Sequence, residues 1–161
     1  MKKATVIMLC GLTGSGKSTY AERVISKGYV KISIDEVMYE KYGVAGIDYP
    51  DEKYLELEKE VKSELNNQLI KLIHEGVSVI LDYGFWTRKE RDRYKEIIQA
   101  AGGYWQLLYF KASPETLAKR LRKRNAHKDA NSFFITRSML DDFVERFEIP
   151  HKEAEQILYQ N

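Results

Sequence analysis

The residues with the densest chemistry stand close to the start of the chain. Gly11-Leu12-Thr13-Gly14-Ser15-Gly16-Lys17-Ser18 fits the spacing G-x-x-x-x-G-K-[ST]. Glycines at these positions let backbone N–H groups converge into a concave nest that attracts phosphate oxygens. A helix opening at Lys17 adds the positive end of its dipole. The lysine puts a point charge on the β and γ phosphates, and the serine hydroxyl can ligate Mg²⁺. Gly11, Thr13, Gly14, Ser15, Gly16, Lys17, Ser18 and Thr19 are therefore the candidate ATP-binding residues, and Lys17 is also a candidate catalytic residue. From average composition, the pattern arises by chance in a chain of this size at a rate of roughly half a percent. A glycine-rich turn with an exposed lysine explains neither the spacing nor the Lys-Ser pair.

Further positions gather around this loop. Asp82 follows the apolar run Val77-Ser78-Val79-Ile80-Leu81. If that strand lies beside the first, Asp82 sits next to Ser18 and supports a bound Mg²⁺, so Ser18 and Asp82 are the candidate metal residues. Asp35 follows the second strand and reads two ways. It is either a base that accepts the proton of a substrate hydroxyl or a cap for the next helix. Arg120 and Arg124 flank the buried stripe of one helix and could stabilise charge on a transferring phosphoryl group. Phe85, Trp86 and Arg88 are candidate substrate contacts, with core packing the alternative for the two aromatics.

The elements that must position these groups alternate short apolar runs with longer helical periods, which is an α/β pattern. Strands are expected over Ala4–Cys10, Tyr29–Ile34, Val77–Leu81 and Trp105–Phe110, with a possible edge strand over Gln156–Tyr159. Helices are expected over Lys17–Ser26, Asp35–Tyr42, Asp51–His74, Ser113–Arg124 and Thr136–Phe147. A further helix opens on the capping box Thr87-Arg88-Lys89-Glu90 and stops at Gly102-Gly103.

At 161 residues and 18.8 kDa, with 43% apolar and 31% charged residues, the chain is expected to form one domain over 1–161. No apolar run approaches the length needed to span a bilayer, and the N-terminus has no signal-peptide pattern, so a cytoplasmic protein without membrane partners is expected. One cysteine, Cys10, excludes an internal disulfide and a cysteine-based zinc site. The net charge of +2 alone does not imply nucleic-acid binding, but the distribution is uneven. Asp35 to Glu64 carries 10 acidic and 4 basic residues, whereas Trp86 to Lys128 carries 12 basic and 4 acidic. If the acidic block faces the pocket, a neutral or cationic acceptor is favoured.

With these motifs the chain resembles the small bacterial P-loop kinases related to zeta toxin, chloramphenicol phosphotransferase and the polynucleotide 5′-hydroxyl kinase domain, within the AAA-type ATP-binding P-loop NTPases. The resemblance rests on the loop from Gly11, on Ser33-Ile34-Asp35-Glu36, on Leu81-Asp82-Tyr83-Gly84-Phe85-Trp86-Thr87-Arg88, on Arg120 to Asn125 and on Phe143 to Pro150. It implies a three-layer fold with a parallel sheet in the order 2-3-1-4-5, helices on both faces and a short arginine-bearing lid at about 120–136. It also implies ATP-Mg²⁺-dependent phosphoryl transfer to a hydroxyl. Asp35 matches the family's base position and Arg124 a lid arginine. A small-molecule acceptor is the leading expectation, and no obligate protein partner is implied. A polynucleotide 5′-hydroxyl is the alternative acceptor, and an ATP-binding regulatory module without transfer is the alternative from another class. No N/T-K-x-D signature supports a regulatory GTPase.

Overall fold

In a computed structural model that describes residues 2–125 and 135–160, the chain builds a five-stranded parallel sheet in the order β2-β3-β1-β4-β5. The central strand β1 (Thr5–Cys10) is buried at every residue but its first, as its unbroken apolar run requires. It pairs on one side with β3 (Val79–Gly84) and on the other with β4 (Tyr104–Lys111). On one face, Val6, Met8 and Cys10 pack with Leu81, Leu107 and Tyr109 beneath the helices α3 (Tyr54–His74) and α4 (Arg88–Ala100). On the other, Ile7, Leu9, Ile80, Leu108 and Phe110 pack on Ala21 and Val24 of α1 (Lys17–Ile25). Helices on both faces of a parallel sheet make this the three-layer P-loop fold.

Several boundaries differ from the sequence expectation, each for a local reason. Strand β2 (Val30–Ser33) stops early because Ser33 caps α2 (Ile34–Tyr42): its Oγ accepts from the Glu36 N–H at 3.3 Å. Asp35 therefore stands inside the helix's first turn and is not its cap. The long helix begins at Tyr54, after a 3-10 turn over Asp51–Lys53 closed by Lys53 N–H on the Pro50 carbonyl. Val77 is not in β3, because its N–H closes the end of α3 on the Leu72 carbonyl. At its other end β3 runs on through Asp82 to Gly84, so Asp82 lies within the ladder. The edge strand β5 (Glu155–Tyr159) forms, parallel to β4.

Ser113 caps α5 (Pro114–Arg124), accepting from Thr116 N–H, and Thr136 caps α6 (Arg137–Arg146) in the same way. Of the expected lid, residues 126–134 lie outside the described residues. Its two ends are joined by Asn125, whose amide donates to the Ile135 carbonyl at 3.0 Å and accepts from the Ile135 N–H at 3.2 Å.

One buried ion pair holds α4 to the segment before β5. Arg91, fully buried, donates to both Glu153 oxygens at 2.9 and 3.0 Å and to the Phe85 carbonyl at 2.8 Å. That third bond fixes a residue with φ of 51°, so the turn carrying Trp86 out of β3 is held from beneath. Among the described residues, no helix is long and apolar enough to cross a membrane.

Candidate active site

The loop between β1 and α1 is built around glycine conformations. Gly16 has φ of 103° and is the N-cap of α1, and a Cβ there would stand 2.7 Å from the Gln160 side chain. Gly11 N–H donates to the Gly84 carbonyl at 2.9 Å, tying the loop to the end of β3. Thr13, Gly14, Gly16, Lys17, Ser18 and Thr19 line a cleft of about 1240 Å³. Gly11 and Ser15 stand behind that wall, and the buried Ser15 Oγ has no hydrogen-bond partner among the described residues. Lys17 Nζ donates to the Leu12 carbonyl at 3.1 Å, folded over its own loop.

Sheet register brings the carboxylates to this loop. Asp82 is level with Leu9 on β1 and with Ser33 on β2. Its Oδ2 accepts from Ser18 Oγ at 2.8 Å. Asp35, two residues beyond Ser33, lines the same cleft and keeps an exposed surface. Burial in this concave wall pushes the Asp35 carboxyl up, and Asp82 and Glu58 add to the rise, while Lys17 and Arg124 oppose it. Burial pulls the Lys17 ammonium below its ordinary value, against the pull of Asp82 and Asp35. The lysine, the two aspartates and Arg124 therefore act on one another within a single cleft.

The two arginines of α5 divide their work. Arg124 lines the cleft and acts on both Lys17 and Asp35. Arg120 is engaged with backbone: one guanidinium nitrogen donates to the Gly14 carbonyl at 3.1 Å, another to the Gln160 carbonyl at 3.0 Å. It ties the phosphate loop to the end of β5 while lining the cleft beside Arg124. Gln160, which sequence spacing did not single out, is the other half of that tie.

The far end of the cleft is walled by α3, α4 and α6. Trp86 lines it, tilted on Phe143 at a ring distance of 5.0 Å. Gly84, with φ of 83°, leaves room for the indole, since a Cβ there would stand 3.3 Å from it. Phe85 is a correction: it is fully buried between Tyr83 and Tyr94 and does not reach the cleft, because consecutive residues leaving a strand diverge. Arg88 is another, turned outward and paired with Asp92 at 3.7 Å, one helical turn on. The capping box is only half formed. Thr87 Oγ1 accepts from Glu90 N–H at 3.1 Å, but the Glu90 carboxylate faces the cleft and Lys62. Tyr54, Glu58, Lys62, Glu90 and Arg146 also line this wall and were not anticipated. The i, i+4 pair Glu58–Lys62, beside the apolar stripe of α3, is the signal that points to two of them.

The donors present suit a nucleotide-borne magnesium ion. Ser18 and Asp82 offer one hydroxyl and one carboxylate in contact, at the end of the glycine-rich loop. Among the described residues, no group of three or more His, Cys, Asp or Glu side chains could hold a metal. Magnesium is ordinarily held this way, by one or two protein oxygens plus phosphates and water.

A family model described as an AAA domain matches residues 6–150. Among solved structures, a gluconokinase from Sinorhizobium meliloti superposes with a TM-score of 0.64 at 20% identity, over 99% of this chain and 85% of that one. Kti12 from Chaetomium thermophilum, in complex with ADP-AlF3, superposes with a TM-score of 0.66 at 19% identity, over 96% of this chain and 88% of that one. A chain of the Pnkp1/Rnl/Hen1 RNA repair complex reaches a TM-score of 0.71 at 20% identity, over 91% of this chain but only 44% of that one. At these identities the likeness is one of fold. Among curated proteins the sequence has no match.

Proposed function

The chain belongs to the AAA domain family, and on that premise we propose that it is an ATP-dependent kinase transferring the γ-phosphoryl group to a hydroxyl of a small molecule. The observation that carries this reading is the single cleft shared by the phosphate loop, the Ser18–Asp82 pair, Asp35 and Arg124, with room beyond them for a second substrate. ATP alone would not need the far wall.

In this reading, Lys17 leaves the Leu12 carbonyl and places its charge on the β and γ phosphates. Ser18 and Asp82 would hold a nucleotide-bound Mg²⁺, which would supply positive charge against the phosphate oxygens. Asp35 aligns the acceptor hydroxyl. As the acceptor oxygen bonds to the γ phosphorus, the bond to the β–γ bridging oxygen breaks and ADP leaves with that electron pair. The hydroxyl proton passes late to the Asp35 carboxylate. Arg124 meets charge on the transferring group, where a planar fork is most effective.

The test is acceptor-dependent ADP formation by the wild type and by Lys17→Ala, over polyols, amino sugars, nucleosides and 5′-hydroxyl oligonucleotides. Turnover that needs an acceptor and vanishes in the variant supports transfer. Unchanged turnover in Lys17→Ala contradicts it.

A further inference from the structure

The wall facing the phosphate loop is unevenly charged. Asp35, Asp51, Glu58 and Glu90 line the α2, α3 and α4 side of the cleft, against Lys62 and Arg146. Both of those cations are already engaged. Lys62 Nζ lies 3.2 Å from Glu58 and 3.9 Å from Glu90, so one ammonium serves two carboxylates. Arg146 pairs with Asp142 at 2.8 Å and lies over the Trp86 and Phe143 rings at 5.3 and 5.6 Å. Asp35 and Asp51 have no ion-pair partner among the described residues. Lys17 and Arg124 stand on the phosphate-loop side, so an anionic group reaching toward α3 would meet only cations already paired with carboxylates, and desolvating a charge against like charges is costly.

Two further observations concern what the wall can bind. Tyr54, Tyr83 and Trp86 present aromatic surface in the same cleft, which suits a cation as well as a sugar ring. The Tyr83 hydroxyl itself is buried, so what Tyr83 offers the cleft is ring surface. The electrostatics agree: burial holds Glu90 above its ordinary value despite Lys62, and Glu58 adds to the rise.

Resting on the kinase reading above, we propose that the acceptor carries a protonated amine beside its reacting hydroxyl, as an amino alcohol or amino sugar does, and that Asp51, Glu58 and Glu90 select it. The reacting hydroxyl lies at Asp35 and the ammonium toward α3. Sugar acids and polynucleotides are then rejected by the wall that binds the amine.

The experiment uses charge-matched trios: glucose, glucosamine and gluconate, and glycerol, 3-amino-1,2-propanediol and glycerate. Binding is measured by saturation-transfer NMR with a non-hydrolysable ATP analogue and Mg²⁺ present. The amine of at least one trio is expected to bind about tenfold or more tighter than its neutral twin, with the anion weakest. Asp51→Asn and Glu58→Gln, each read alone, are expected to shrink that preference. Failure of every amine to bind tighter than its neutral twin, or a preference that survives both variants, overturns the assignment. Transfer is read separately as phosphoester formation from ATP. Amine-selective binding without phosphoester sustains the charge assignment and contradicts the kinase reading. Phosphoester formed best on a neutral or anionic member does the reverse.

Discussion

Ser18 Oγ donates to Asp82 Oδ2 at 2.8 Å across 64 residues of sequence. That bond joins the first turn of α1 to the β3 ladder and sets a hydroxyl and a carboxylate side by side, the pair proposed to hold Mg²⁺. Asp82→Asn keeps the shape and a hydrogen bond but removes the charge. The half-saturating Mg²⁺ concentration for turnover is expected to rise about tenfold or more, with metal-free nucleotide binding little changed. A magnesium titration of both proteins checks this.

Arg124 and Arg120 should separate kinetically. Arg124→Ala is expected to lower kcat by about 100-fold with a smaller change in ATP affinity, since the proposed role of its guanidinium is on charge in the transition state. Lysine should rescue poorly, lacking the planar fork. Arg120→Ala should instead weaken nucleotide binding, since it frees the Gly14 and Gln160 carbonyls that the side chain ties together. Steady-state kinetics beside equilibrium ATP binding distinguish the two patterns.

The Arg91–Glu153 pair makes a prediction about stability. Burial opposes ionisation of Glu153, but hydrogen bonds and charge from Arg91, with help from the His151 N–H and Lys95, hold its carboxyl below the ordinary value. A depressed carboxylate contributes stability above its unfolded pKa and loses it as pH falls through the folded one. Glu153→Gln is expected to cost about 3 kcal/mol near neutral pH, and that difference should narrow in acid. Replacing both partners, Arg91→Met with Glu153→Leu, should recover much of the loss, because no charge is left buried alone. Urea unfolding at two pH values measures each case.

Asp35 has the opposite sign. Its carboxyl is raised in the folded protein, so stability falls as pH climbs from the ordinary carboxylate range through the folded pKa. At neutral pH the ionised group is a cost. Asp35→Asn is therefore expected to raise Tm near pH 7, with the gain disappearing below the ordinary carboxylate range. The same shift moves the acid limb of kcat/KM above that range, and the variant should lose this limb. Thermal melts against pH test the first statement.

The phosphate loop is legible in sequence because eight consecutive residues carry it, and the sheet because apolar runs alternate with helical periods. Asp82 and Asp35 are legible as positions after strands, but their surroundings are not. Only the register of β3 against β1 sets Asp82 beside Ser18, and only the Ser33 cap shows that Asp35 is free of that task. The far wall is assembled from Tyr54 and Glu58 on α3, Glu90 on α4 and Arg146 on α6, which no local spacing connects. Glu90 is hidden further, because its place in Thr87-Arg88-Lys89-Glu90 already has an explanation as a helix cap. Phe85 and Trp86 are neighbours of like chemistry, and the backbone beyond Gly84 sends one into the core and the other into the cleft. The tie between Arg120 and Gln160 depends on β5, whose register only the folded sheet supplies.

In the proposed reaction Asp35 accepts the proton of an acceptor hydroxyl during transfer from ATP. The direct measurement is single-turnover transfer of labelled γ-phosphate from ATP to the best acceptor of the panel, by wild type and Asp35→Asn, beside ATP-Mg²⁺ affinity for both. The variant is predicted to bind ATP-Mg²⁺ as the wild type does and to transfer at least about 100-fold more slowly. Transfer at the wild-type rate with normal ATP binding would contradict the assignment of Asp35 as the base.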